Sequence, residues 1–164
     1  MLKPSDVGPG WSYKVKIGKT TYGVNRPQFF KDGRGADLGI RRVVIKYNTA
    51  LIEEFIQGVM VYPYLEEALN SIKHLRDNQQ SLDIPNWDEA YLDTRLVEDG
   101  FEQVGLVLRK DNCVMNLYYR EVLYKEDTLT GKFYHSEYPP FNEEKAQWAE
   151  DLLYSLVEIV ISRQ

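Results

Sequence analysis

The chain reads as an α+β domain: an antiparallel sheet of five to six strands covered on one face by two helices, a two-layer sandwich. Three observations predict this. Runs rich in β-branched and aromatic residues are separated by short polar turns, the pattern of antiparallel neighbours. Two segments carry apolar residues at three- and four-residue spacing, which makes one-sided helices that need a sheet face to cover. The length of 164 residues, 43% hydrophobic and 13% aromatic, suffices for one packed core and is too short for two comfortable ones, so 1–164 is a single domain.

In order, Leu2-Lys3-Pro4-Ser5-Asp6-Val7-Gly8-Pro9-Gly10-Trp11 holds two prolines and two glycines. It reads as an irregular N-terminal arm, 1–11, that plants Trp11 against the domain. Tyr13 to Ile17 alternates as an edge strand. From Thr20 to Gly39 turn residues dominate (Gly23, Asn25, Pro27, Asp32-Gly33, Gly35), giving a long loop anchored by Phe29-Phe30. Ile40 to Tyr47 is β-branched and bounded by Gly39 and Asn48, a strand. Leu51 to Leu75 can be drawn as one helix, but Pro63 would sit inside it at a cost of ~3 kcal/mol, whereas near a helix start it costs almost nothing. Glu54 to Tyr62 is therefore a strand hairpinned to the previous one, and Tyr64 to about Asp77 a helix with Leu65, Ala68, Leu69, Ile72 and Leu75 inward. After a polar linker, Tyr91 to Val97, Phe101 to Arg109 and Cys113 to Val122 are three strands joined by the tight turns Glu98-Asp99-Gly100 and Lys110-Asp111-Asn112. In the last of them Met115, Leu117 and Tyr119 point one way, and Asn116, Tyr118 and Arg120 the other. Lys125 to Phe141 is a second long loop. Glu143 to Ile161 closes the chain as a helix capped by Asn142, with acidic residues in its first turn.

Several chemistries are excluded or disfavoured. With a net charge of -5 the whole-molecule field does not favour nucleic acid, whose phosphates call for clustered Lys and Arg. No apolar stretch approaches the ~20 residues of a spanning helix. No Gly-x-Ser-x-Gly elbow is present, and of the two imidazoles His74 falls about 200° around its helix from Ile72, toward solvent. His135-Ser136-Glu137 offers two ligands where zinc needs three or four, so neither metal nor cofactor is expected. The glycine-rich Gly33-Arg34-Gly35-Ala36-Asp37-Leu38-Gly39 is followed by a strand, not the helix N-terminus a phosphate loop needs, and reads as a plain loop. The acidic pairs Asp88-Glu89, Glu98-Asp99 and Glu143-Glu144 fit turns and helix starts rather than acid–base work. Cys113, in an apolar run, is expected to be buried on the helix-covered face and inert.

Two features point to binding. Residues 1–50 carry ten Lys and Arg against three acids, a balance of +7 that leaves -12 for the rest, so the basic part can meet an anionic ligand, a lipid headgroup or an acidic partner. The aromatic segment Phe133-Tyr134-His135-Ser136-Glu137-Tyr138-Pro139-Pro140-Phe141 is of the amphipathic kind that suits recognition. The sheet face left uncovered is the expected site. It is assigned Arg42 and Lys46, Arg95, Arg109, and Tyr118 with Arg120: guanidinium groups that hold a carboxylate or phosphate bidentately beside an aromatic ring.

Leu2 to Trp11, then Val59-Met60-Val61-Tyr62-Pro63 leading into a helix with Glu66-Glu67-Ala68, then Trp87-Asp88-Glu89-Ala90, then Val107-Leu108-Arg109-Lys110-Asp111-Asn112-Cys113-Val114 and a final helix together resemble bacterial exported lipoproteins. In type they resemble the extracellular sensor-like domain of mycobacterial protein kinase H. The resemblance spans most of the chain and rests on element order and short motifs. It implies a non-enzymatic, extracytoplasmic binding or sensor-like module for a small molecule, lipid or protein partner, attached to a membrane only through a removed anchor. That kinase domain is held by disulfides, and a lone Cys113 supplies none. The alternatives are a cytoplasmic protein-interaction domain, if Met1 is the native start, and a small enzyme using carboxylates and tyrosines.

Overall fold

A computed structural model of the protein describes residues 1–30, 38–49, 51–131 and 133–163, and of 133–136 the backbone alone. The α+β class and the mainly antiparallel sheet are as the sequence predicts. The helices are α1 (Pro4–Val7), α2 (Leu65–Ser71), α3 (Lys73–Asn78) and α4 (Glu143–Ile161). The strands are β1 (Lys14–Ile17), β2 (Thr20–Gly23), β3 (Gln28–Phe30), β4 (Leu38–Asn48), β5 (Leu51–Val61), β6 (Glu89–Leu92), β7 (Arg95–Val97), β8 (Gly100–Lys110), β9 (Cys113–Glu126) and β10 (Phe133–Glu137). The main sheet runs β3-β4-β5-β9-β8-β6, with β10 beside the end of β9 and β7 beside the start of β8, while β1 and β2 form a separate hairpin. None of the helices in the described residues is long and apolar enough to cross a membrane.

β5 is strand along its whole length, and Pro63 lies just before α2 as its fixed φ and missing N–H require. The expected single helix is broken at Ile72, whose backbone (φ -107°, ψ 8°) is not helical. The Ser71 hydroxyl donates to the Ala68 carbonyl at 2.7 Å, the back-bonding that bends helices. In the first long loop, Thr20–Gly23 folds back on β1 and Gln28–Phe30 pairs with β4, while Phe29 is largely exposed rather than an anchor. In the second, β9 continues to Glu126 and β10 pairs with it. Both segments are short strands bounded by turn residues, which composition alone reads as loop. Residues 33–37 of the glycine-rich segment lie outside the described residues. The arm is partly ordered: α1 is one turn, Leu2 is fully buried, and the Leu2 N–H donates to Gln57 Oε1 at 2.6 Å. Arg163 clasps the Asp6 carboxylate through two nitrogens, at 2.7 and 2.5 Å, and this bond holds the carboxyl below its usual range. Trp11 packs on Phe55 as expected, with ring centroids 5.2 Å apart.

The two faces of the sheet are covered differently. On one, α4 lays Ala149, Leu153, Leu156 and Val160 over Phe55, Leu106, Leu108, Met115, Leu117 and Tyr119. Asn142 caps α4 as expected, its side chain accepting from the Lys145 N–H at 2.9 Å. The second helical segment does not join α4. Ala68, Ile72 and Leu75 pack on Tyr91, Val107 and Val114, which the strand alternation places on the opposite face. The β1–β2 hairpin closes the far end of that face, with Ile17 against Ile45, Ile52, Val122 and Tyr124. The physical reason lies in β9. Its second-face set is apolar at Val114 and Val122, and these attract the two covers, while Asn116 and Tyr118 between them join neither apolar cluster and Arg120 is held by Glu54 and Tyr138.

Candidate functional site

The uncovered middle of the second face is a groove. One cross-strand row on its floor consists of Arg41, Gly58, Asn116 and Val107 on β4, β5, β9 and β8. Gly58 is the unusual member. At the other glycines within the long strands a side chain is excluded by neighbours: a Cβ on Gly39 would lie 2.6 Å from the Phe30 ring, and one on Gly105 would lie 2.9 Å from Tyr118 Cβ. A Cβ on Gly58 would meet nothing within 4 Å, and its φ is unexceptional. Glycine weakens a strand interior, and here neither packing nor backbone conformation demands it. It opens a slot between Arg41 on one side and Asn116 on the other.

The slot is part of a cavity of about 610 Å³, within the range of small-molecule sites. Its far end is apolar, with Met60, Ile72, Leu75, Val107 and Val114 beneath and beside α2 and α3. Its rim is polar, with Tyr118, Asp93, Arg95 and His74. Two of the lining residues each carry a buried polar atom without a partner, Arg41 Nε as donor and Asn116 Oδ1 as acceptor. Such atoms cost roughly 1–3 kcal/mol each when left unpaired. Ser71 also lines the cavity, but its hydroxyl proton is committed to Ala68 O.

A smaller cavity of about 340 Å³ lies on the other side of Arg41, which lines both. Arg120, Gln28, Tyr22, Tyr124 and Tyr138 line it too. Arg120 donates from Nε to the fully buried Glu54 at 2.7 Å and from a terminal nitrogen to the Tyr138 hydroxyl at 3.1 Å, and its guanidinium lies 4.6 Å from the Tyr138 ring centre. Burial works against the Arg120 charge, yet the Glu54 carboxylate outweighs it and raises the Arg120 pKa above its usual value. The Tyr22 hydroxyl also donates to Glu54, and burial followed by that carboxylate raises the Tyr22 pKa well above the usual phenol range. Tyr124 is pushed up to about 12, chiefly by burial.

The residues expected to share the site are divided. Tyr118 lies in the groove and Arg120 in the smaller cavity. Arg95 stands at the groove rim, exposed and paired with Glu102 at 3.3 Å. Arg109 is on the same face but at the sheet end, fixed by Asp88 at 2.9 Å, Glu89 at 3.5 Å and the Asp111 carbonyl at 2.9 Å. This also gives the Asp88-Glu89 pair a structural role. Arg42 and Lys46 are on the α4 face, a correction to the expected grouping. Arg42 stands opposite Gln57, which stands opposite the buried Leu117, and its guanidinium sits 4.0 Å from the Tyr13 ring centre. Val43, Val44 and Ile45 make β4 apolar on both sides, so its pattern does not say which set faces which way. Arg41, Gly58 and Asn116 were not singled out by sequence reasoning. The signal for them was Gly58, an isolated glycine inside a strand pattern, which marks a close approach or a bulge.

The α4 face carries its own polar cluster. The Tyr119 hydroxyl is within hydrogen-bond distance of Glu53 at 3.0 Å and of Glu121 at 2.8 Å, though it has one proton to give, and the Lys145 ammonium pairs with Glu53. Burial, with the Glu53 charge adding to it, raises the Glu121 pKa against the lowering pull of Tyr119 and Lys145. Cys113 is half-buried rather than buried. It lies in the last row of the sheet, opposite Val61 and Lys110 and outside the α4 core, and burial raises its thiol pKa. From the aromatic segment, Tyr138 serves the smaller cavity and Phe141 is buried with its ring 5.2 Å from Tyr119, while the side chains of 133–136 lie outside the described residues.

Comparison with protein-family models, with curated protein sequences and with solved structures gives no match.

Proposed function

We propose that the chain is a non-enzymatic binding module that takes a small molecule into the groove over Gly58. The observation that carries the reading is the row Arg41–Gly58–Asn116. A central strand gives up a side chain where one would fit, and the gap is flanked by an unpartnered donor and an unpartnered acceptor. Unpaired buried polar atoms are costly in an empty site and become specificity when a ligand pairs them. This keeps the expected location, the uncovered face, and moves its centre from Arg42 to Arg41.

The test is a thermal-shift screen of a small-molecule library against the wild type and Gly58→Leu. A ligand at 100 times its dissociation constant adds ~2.7 kcal/mol of stability. The expected result is a set of compounds that raise the melting temperature of the wild type and leave Gly58→Leu unmoved. Compounds that shift both proteins equally would place binding elsewhere and sink the reading.

A further inference from the structure

We infer that the ligand is an amphipathic carboxylate: an acid group between Arg41 and Arg120, a hydrogen-bond donor beside Asn116, and an apolar tail toward α2 and α3. The inference rests on the groove reading above and names the class of molecule it takes.

The charge of the smaller cavity sets the head group. Arg120 is matched by Glu54 and Arg41 has no carboxylate partner among the described residues, so the described lining of the cavity carries one positive charge that no carboxylate pairs. A single carboxylate neutralises it, and a guanidinium fork can hold that group bidentately. Glu54 itself stays occupied by Arg120 and Tyr22.

The order along the strands sets the rest. Arg120 lies opposite Glu54, Asn116 opposite Gly58, and Val114 opposite Met60. Six residues of β5 separate the first row from the last, about 20 Å at ~3.4 Å per residue. Along that line the lining passes from guanidinium and phenol, through the Asn116 acceptor in the bare Gly58 slot, to Met60, Val114, Ile72 and Leu75. A molecule complementary to it carries its acid at one end, an N–H or O–H in the middle, and hydrocarbon at the other end. N-acyl amino acids and hydroxylated fatty acids carry these groups in this order.

The probe is N-decanoylglycine, titrated calorimetrically into the wild-type chain beside its methyl ester, which keeps the amide and tail and loses the charge. The acid should bind one per chain and the ester at least tenfold more weakly. Arg41→Met should weaken the acid at least tenfold and the ester little, with its melting temperature confirming the fold. Arg42→Ala, on the other face, should leave the affinity for the acid unchanged. Equal affinity for acid and ester, or indifference of the acid to Arg41→Met, overturns the head-group assignment. Failure of the acid to bind overturns the ligand class. The groove reading then stands if the library screen finds a compound blocked by Gly58→Leu, and falls with the class if it finds none.

Discussion

If the slot over Gly58 is open in solution, filling it with a methyl group stabilises the protein. Glycine in a strand interior costs roughly 0.5–1 kcal/mol relative to alanine through the freedom it loses on folding. A Cβ at Gly58 meets no atom within 4 Å, so Gly58→Ala recovers that amount without strain. In a chain of this size, where 1 kcal/mol moves the midpoint by about 2–4 °C, the gain is roughly 1–4 °C. Gly105, a glycine inside β8, is the control. Its Cβ would come 2.9 Å from Tyr118 Cβ and 3.3 Å from the Asp93 carbonyl, so Gly105→Ala overpacks and costs about 1–3 kcal/mol. Urea unfolding of the three proteins, followed by far-UV circular dichroism with the denaturant slope checked for constancy, separates the cases. A loss of stability in Gly58→Ala comparable with that of Gly105→Ala would refute the reasoning, because it would mean that the slot is closed by atoms the geometry does not place there.

Three further outcomes are expected. Leu2→Ala should cost about 2–5 kcal/mol in urea unfolding despite its place at the chain's start, because the side chain is fully buried in the α4 core; a change within error would mean the arm is frayed. Glu121→Gln should stabilise the protein at neutral pH. The raised Glu121 pKa means that its contribution is fully present below its unfolded value and is lost as pH rises through the folded one. The gap between variant and wild type should therefore widen from pH 4 upward and then level off, and a gap independent of pH counts against a burial-raised Glu121. Cys113, half-buried with its thiol pKa raised, should react with iodoacetamide more slowly than free cysteine at pH 8 yet without requiring global unfolding. Labelling that tracks the unfolding rate would show that the last row of the sheet is sealed.

The elements with one-sided patterns were legible in the sequence. α4 has its cap, acidic first turn and apolar stripe where the spacing puts them, and β9 divides Met115, Leu117 and Tyr119 from Asn116, Tyr118 and Arg120 as alternation requires. Pro63 settled strand against helix for β5. The short strands β2, β3 and β10 were not legible, because three to five residues among turn formers carry too little pattern to stand out. The location of the site on the open face was readable from β9 alone. Its centre was not, because that depends on which β4 residue stands beside Gly58, and this is a matter of register.

Register is where local reading fails for a physical reason. β4 and β5 bury residues on both faces, Val44 and Phe55 toward α4, Ile45 and Ile52 toward the hairpin, so the hydrophobic pattern does not distinguish one pairing from the pairing shifted by one residue. Polar contacts do distinguish them. Glu53 and Glu54 are adjacent and point to opposite faces, each buried and each met by its own cation, Lys145 across from one and Arg120 across from the other. Gln57 adds a third constraint by holding the Leu2 N–H on the α4 face. A slip of one residue that brought Phe55 to Arg120 would take the carboxylate from Arg120 and set Glu53 opposite Val122, away from Lys145, leaving uncompensated buried charges that cost several kcal/mol. These pairs, rather than the apolar pattern, set Gly58 opposite Asn116, and so the contacts that fix this part of the fold also open the groove.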